Sequence, residues 1–224
     1  MKLVCLSYRL NEESPLYGDT PKPSIRSTNS MKRGDNSNGF RISVSNHSGT
    51  HVDAPAHFTE GGKAIWEYGP GELAFKRPQV LEIPKEAGEW IGPDDLEGRI
   101  SEECDCLLIR TGFWEKRGMP VYRENNPGIS PEAFDYLRKT CKSVRAVGID
   151  TISITGFQDR PRGRVAHRRA FEAKEGYGEP LLVIEDMDLS EVPEKIEKIL
   201  LVPWGVEGID SSPCTVLAEC GDGQ

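Results

Sequence analysis

Six apolar tetrads set the first constraint on how this chain can fold: VLEI at 80–83, CLLI at 106–109, AVGI at 146–149, LLVI at 181–184, ILLV at 199–202 and CTVL at 214–217. Each is too short for a helix, and several have no polar alternate, the pattern of strands buried on both faces. Between them, 23 glycines and 16 prolines break the chain into loops. One helix start is clear. Ser130 can cap it and Pro131 take its first position, with Ala133, Phe134, Leu137 and Cys141 following at helical spacing. Lying between two tetrads, it reads as a crossover helix. A second short helix is predicted over 192–199, with Pro193 near its start. The class is α/β with a mixed sheet. No repeat or low-complexity linker divides residues 1–224, so one compact domain is expected.

Composition narrows the function classes. The net charge is −8, from 28 Lys+Arg against 36 Asp+Glu, which argues against a nucleic-acid partner. No apolar run approaches the roughly 20 residues of a bilayer span, and Arg9 interrupts the N-terminal segment too early for a signal peptide. The expectation is a cytoplasmic protein without a membrane partner. Six cysteines without a CxxC pair read as reduced structural thiols. One basic run, Arg160, Arg162, Arg164, Arg168 and Arg169, opposes the acidic balance. It reads as a solvated loop or as a clamp for an anionic substrate group.

The chain has four histidines, and three of them, His47, His51 and His57, fall within eleven residues. Two histidines four apart could share a helix face. Gly49, Thr50, Val52 and Pro55 all oppose a helix there, so a strand running into a loop is expected. On a strand, Ser43, Ser45, His47, His51 and Asp53 share one parity and Ile42, Val44 and Val52 the other. The even face should pack while the odd face collects ligands, with Gly49 bending the backbone so that His47, His51 and Asp53 converge. Two imidazoles and a carboxylate suit Zn²⁺, Mn²⁺ or Fe²⁺. Three protein ligands leave positions open for a water made acidic by the ion. His57 is near enough to be a ligand or a proton-transfer group.

Residues 47–58, HSGTHVDAPAHF, resemble the HxGTHxDxPxHF signature of the cyclase family of metal-dependent hydrolases, which includes bacterial kynurenine formamidases and isatin hydrolases. Further matches are YGDTP at 17–21, LIRTG at 108–112, GIDTIS at 148–153, and a downstream His167 with Glu185. The resemblance implies a compact α/β domain around a mixed, partly barrel-like sheet with flanking helices. It implies that His47, His51 and Asp53 bind one metal, and that Asp53, His167 and Glu185 bind a second where the site is binuclear, Asp53 bridging. His57 and Glu185 then form the catalytic set, His57 as acid/base. Glu175 and Glu179 are rivals for the Glu185 position. Residues 154–169 depart from the family pattern, which bears on any inherited substrate.

The implied activity is metal-dependent hydrolysis of an aryl formamide, N-formylkynurenine to kynurenine and formate. Opening of another cyclic amide or lactone such as isatin, or a metal-stabilised binding protein without catalysis, are the alternatives. The implied cofactor is a divalent metal, Zn²⁺ or Mn²⁺, one or two per chain. The implied partners are a small-molecule amide and further copies of the chain, as homodimer or homotetramer. Tyr17 is a candidate aromatic wall or ordinary packing. Phe113, Trp114 and Trp66 read as core or subunit interface, and Asn46, Ser48 and Thr50 as orienting groups or plain turn residues.

Overall fold

The computed structural model of the chain describes residues 2–193 and 195–221. Its strands are β1 (Lys2–Cys5), β2 (Ser24–Asn29), β3 (Gly39–Ser43), β4 (His51–Asp53), β5 (Ala74–Phe75), β6 (Pro78–Glu82), β7 (Trp90–Ile91), β8 (Cys106–Arg110), β9 (Gly128–Ile129), β10 (Ala146–Ile149), β11 (Leu182–Glu185), β12 (Lys198–Pro203) and β13 (Ser211–Cys220). The helices are α1 (Pro120–Glu124), α2 (Pro131–Thr140) and α3 (Arg160–Phe171). All six apolar tetrads lie in or overlap these strands.

The main sheet runs β5-β12-β13-β4-β11-β10-β8-β6, with β1 also on β13, and nearly closes into a barrel. Strands β6, β8, β10 and β11 are parallel, and β4 enters antiparallel between β11 and β13. Strand alternation accounts for the unbroken apolar runs. Cys106, Leu108, Ala146, Leu182 and Ile184 point into the barrel with Val52 and Val216. Leu107, Ile109, Val147, Ile149 and Val183 point outward, beneath Phe134 and Leu137 of α2 and Ala166, Ala170 and Phe171 of α3. Both faces are thus buried, as parallel strands flanked by crossover helices require. Among the described residues no helix is long and apolar enough to cross a membrane.

Helix α2 forms as its sequence predicts: the Ser130 hydroxyl accepts a hydrogen bond from the Ala133 N–H at 3.1 Å, and the helix connects the parallel neighbours β8 and β10. Three expectations change. The basic run is helical, not a loop. Asp159 caps α3 through the Arg162 N–H, Pro161 sits in the first turn where no backbone donor is lost, and Gly163, Ala166 and Ala170 form a buried stripe. Gly163 is required by close approach, since a Cβ there would meet Thr155 side-chain atoms at 2.2 to 2.6 Å. No helix forms over the described part of 192–199; Glu194 lies outside the described residues. Pro193 withholds a helix donor, and the apolar run that follows pairs with β13 from Lys198 onward. Finally, β3 does not run on into the histidine strand. It pairs with β2 in a hairpin whose residues are almost all exposed, so Ile42 is 58% accessible instead of packed.

Candidate metal centre

The site forms where β4 lies between β11 and β13. In that register His51 stands opposite Glu185, and Asp53 lies two residues along on the same face. Val52 points the other way and is fully buried in the barrel core. The odd/even division expected for this stretch therefore holds across 51–53. Before β4 the chain turns through Gly49, whose φ of 64° is left-handed backbone that glycine adopts without a Cβ penalty. That turn brings His47 back beside Asp53, Nδ1 to Oδ1 3.1 Å. After β4, Pro55 opens a single 3₁₀ turn that carries His57 over the same carboxylate. Helix α3 supplies His167 from above. Tyr17, Thr20, Phe58, Ile152, Ser153 and Thr155 complete the walls of a cavity of about 210 Å³.

Hydrogen bonds settle where each imidazole directs its free nitrogen. The His51 Nδ1–H donates to the Gly49 carbonyl at 2.9 Å, which leaves Nε2 facing Glu185 Oε2 at 3.3 Å and Asp53 Oδ1 at 3.6 Å. The His167 Nδ1–H donates to the Gly163 carbonyl at 3.0 Å, with Nε2 3.5 Å from Glu185 Oε1 and 3.8 Å from Asp53 Oδ2. The His57 Nδ1–H donates to Asp210 at 2.7 Å, with Nε2 3.9 Å from Asp53 Oδ2. Glu185 is itself held: its Oε1 accepts from the Ser153 hydroxyl at 3.0 Å and from the Ile154 N–H at 2.7 Å.

Three nitrogen lone pairs thus converge on two buried carboxylates, a repulsive arrangement unless a positive charge lies among them. Protons are one answer. Burial would lower the His51 pKa, but Asp53 and Glu185 outweigh it and raise it to about 9. Burial likewise opposes ionisation of Glu185, yet His167 and His51 pull its pKa down to about 2. Asp53 is also held below the usual carboxylate range, the neighbouring imidazoles overcoming its desolvation. A divalent ion is the other answer. Donors about 2.1 Å from a tetrahedral ion stand about 3.4 Å apart, close to these separations. The donor atoms of His47, Asp53 and His57, and those of His51, Asp53 and Glu185, fall within 4.8 Å of one another.

The structure brings together His47, His51, Asp53, His57, His167 and Glu185, and leaves the rival Glu175 and Glu179 exposed on the surface. The lone pocket-facing aromatic expectation, Tyr17, lines the cavity, whereas Phe113 packs in a separate small cluster and Trp66 is 45% accessible. Asn46 donates to His47 Nε2 at 3.1 Å and to Asp210 at 3.0 Å. Thr50 bonds the Asp186 carbonyl and Ser48 makes no bond. Asp150 and Thr111, from the GIDTIS and LIRTG segments, serve the scaffold: the Asp150 carboxylate accepts from the Thr111 and Gly112 backbone and from the Thr111 hydroxyl. Sequence reasoning missed Asp210. Lying 153 residues from His57, it offered no spacing signal, only its place at the head of the strand that flanks β4.

The family model described as "Putative cyclase" matches residues 4–155, a span that holds the clustered histidines but stops short of His167 and Glu185. A protein of Geobacillus thermodenitrificans named kynurenine formamidase is 32% identical over 182 residues, covering 77% of this chain and 80% of that protein. One of the same name from Bacillus cereus is 26% identical over 211 residues, covering 94% and 93%. The fold is shared with isatin hydrolase A from Labrenzia aggregata, at TM-score 0.78 and 22% identity over 97% of this chain and 93% of that one. The overall fold, the HSGTHVDAPAHF turn and the family match therefore agree, and the chain belongs to the cyclase family.

Proposed function

We propose that the protein is a metal-dependent hydrolase of non-peptide C–N bonds that cleaves an aryl formamide, N-formylkynurenine being the first substrate to try. The observation that carries the reading is the convergence of the His51, His57 and His167 Nε2 lone pairs on Asp53 and Glu185 inside a small cavity. The similarity to two proteins named kynurenine formamidase supports it.

His47, His51, Asp53, His167 and Glu185 are the residues that would hold metal. Asp53 presents Oδ1 to His47 and His51 and Oδ2 to His57 and His167, and Glu185 divides its oxygens between His51 and His167 in the same way. With both oxygens of each carboxylate facing imidazoles, the same residues would hold one ion or two. The nitrogen and oxygen donors favour Zn²⁺ or Mn²⁺ over soft ions. A bound ion supplies Lewis acidity, polarising an amide carbonyl and bringing the ionisation of water near neutral pH.

The chain's own groups do the rest. His57 keeps Nδ1–H on Asp210 and turns Nε2 to the cavity, so it can take a proton from the attacking water and return it to the departing amine nitrogen. Asp210 stabilises the imidazolium formed in between. Formamide and water thus give amine and formic acid, which ionises to formate: His57 carries one proton of the water to the nitrogen and the other leaves with the acid. Phe58 stacks on His167 with ring centroids 4.6 Å apart and closes one wall. Ser153 and Ile154 fix the Glu185 rotamer.

The test is turnover by protein reconstituted with Zn²⁺ or Mn²⁺. Formate release from N-formylkynurenine is expected, and no release from it or from simpler aryl formamides would remove the formamidase reading. Isatin belongs in the same assay because the fold is that of isatin hydrolase A. His57→Ala separates enzyme from metal-stabilised binding protein: metal is retained and turnover is lost.

We also propose that the chain self-associates as a dimer or tetramer. The β2–β3 hairpin exposes Ile25, Phe40 and Ile42, at 41%, 63% and 58%, more apolar surface than an arm in water needs. Sedimentation at micromolar concentration tests this, and a monomer would overturn it.

A further inference from the structure

The basic run, now helical, has one face on the site. Arg160, Arg164, His167 and Phe171 are spaced i, i+4, i+7, i+11 and so share a stripe of α3. Arg164 lies about 4.5 Å along the axis from His167, and Arg160 about 10 Å. Two other arginines of the helix are engaged elsewhere: Arg162 pairs with Glu132 at 3.1 Å and Arg169 with Asp135 at 3.7 Å. Among the described residues, neither Arg160 nor Arg164 has a carboxylate within 4.0 Å, although Asp19 borders the same recess.

That recess, of about 270 Å³, is lined by Tyr17, Gly18, Asp19, Thr155, Arg160 and Arg164. It shares Tyr17 and Thr155 with the metal-site cavity, so the two are adjacent. Thr155 lies 3.2 Å from His167 Nδ1, which ties the recess wall to the metal site. The Tyr17 hydroxyl is buried, with the Arg160 guanidinium as its charged neighbour. The Arg160 guanidinium lies over Phe157 at 4.2 Å from the ring centroid and lines the recess. Two guanidinium groups without a carboxylate partner and a buried phenol, beside the metal-site cavity, ask for an anion with several acceptor oxygens.

We propose that Arg160 and Arg164, with the Tyr17 hydroxyl, bind a carboxylate of the substrate, so that the substrate is an amide bearing a carboxylate and not a neutral lactam such as isatin. The inference rests on the amide hydrolase reading. It adds which residues take the group remote from the reacting carbonyl, a carboxylate that N-formylkynurenine also carries.

Two measurements keep the failures apart. Benzoate and benzamide are titrated calorimetrically into metal-loaded protein and into the Arg160→Gln/Arg164→Gln variant. The wild type is expected to prefer benzoate about tenfold or more, falling to near parity in the variant. Equal benzoate affinity for both proteins, as binding through metal alone would give, overturns the proposal whatever the turnover. Formanilide is then compared with its ring-carboxylated analogues, and the kcat/KM ratio of acid to neutral substrate is expected to collapse in the variant through KM, with kcat for the acid little changed. A ratio near one in the wild type also overturns it. Arg162→Gln, at the residue paired with Glu132, should keep the wild-type ratio, and the Arg160→Lys/Arg164→Lys variant should retain part of it.

Discussion

Asp210 Oδ2 accepts the Nδ1–H of His57 at 2.7 Å, and the two residues come from opposite ends of the chain to meet at the rim of the cavity. The pairing lowers the Asp210 pKa to about 2, chiefly through that hydrogen bond, and raises that of His57 despite partial burial. Its chemical effect is to fix one tautomer, with Nε2 as the basic nitrogen in the pocket. Asp210→Asn still fills the space but can present an amide N–H to Nδ1, which favours the wrong tautomer. Loss of a partner of this kind costs about 10- to 100-fold in activity. A kcat reduction of that size, with metal content unchanged by elemental analysis, is the expected outcome. An unaltered kcat would mean that His57 does not move the proton.

Metal stoichiometry separates the two halves of the centre. Asp53 faces imidazoles with both oxygens, so Asp53→Asn should strip the protein of metal altogether. His167→Ala removes a donor from one side only and should lower the metal-to-chain ratio from about two to about one. Both are read by elemental analysis after purification without chelator. Circular dichroism is expected to show a folded protein in each case, because the surrounding strands are held by two apolar clusters independent of the site. A wild-type ratio near one would confine the metal to the His47, His51 and Asp53 half.

Metal must displace protons from this site. His51 in the metal-free protein has its pKa raised from 6.5 to about 9, so at pH 7 to 8 the ring is an imidazolium that gives up a proton when an ion binds. Calorimetric titrations in buffers of different ionisation enthalpy should detect that release near neutral pH and its disappearance above about pH 9. The same shift sets the stability of the metal-free protein. A raised folded pKa contributes stability fully present below about 6.5 and lost as pH rises through about 9. Glu185, depressed to about 2, contributes stability present above its ordinary value and lost as pH falls through about 2. The Tm of metal-free protein should therefore decline from weakly acidic to alkaline pH, and bound metal should flatten that decline. A Tm that rises from pH 6.5 to 9 without metal would contradict the ion-pair arrangement.

How much of this was legible follows from the range of the interactions concerned. The tetrads reveal the strands because burial on both faces writes a local signature, and the histidine cluster reveals half the candidate centre because His47, His51 and Asp53 lie on one turn and one short strand. Helix α3 was obscured by its composition. Five arginines read as solvated chain, and the small residues at 163, 166 and 170 that let it pack closely are visible only once Thr155 is seen beneath Gly163. The hairpin misled for the opposite reason, since alternation predicts a packed face at Ile42 and the chain supplies nothing to pack it. Asp210 was illegible because its meaning depends on β13 lying against β4, a pairing across more than 150 residues.

The residue after Glu185 carries the strain that aims it. Asp186 has a φ of 52°, the only non-glycine residue in left-handed backbone among those described, and it is 1% accessible. It persists there because its carboxylate is gripped on both oxygens. Arg117 Nε donates to Oδ1 at 2.9 Å, Arg117 Nη2 donates to Oδ2 at 2.7 Å, and the Tyr122 hydroxyl donates to Oδ1 at 2.7 Å. The backbone reversal ends β11 at Glu185 and returns the chain toward the Leu6 carbonyl, which accepts from the Asp188 N–H. Arg117→Met preserves much of the packing but leaves a buried carboxylate without its countercharge. Breaking a buried pair in this way costs about 3–5 kcal/mol, well above the ~1 kcal/mol typical of a surface pair; partial exposure of Arg117 favours the lower end. Chemical denaturation should show that loss. Because the Glu185 position depends on this turn, metal affinity should fall in parallel in the folded fraction. A loss under 1 kcal/mol with metal content intact would show that the turn holds Glu185 without the arginine.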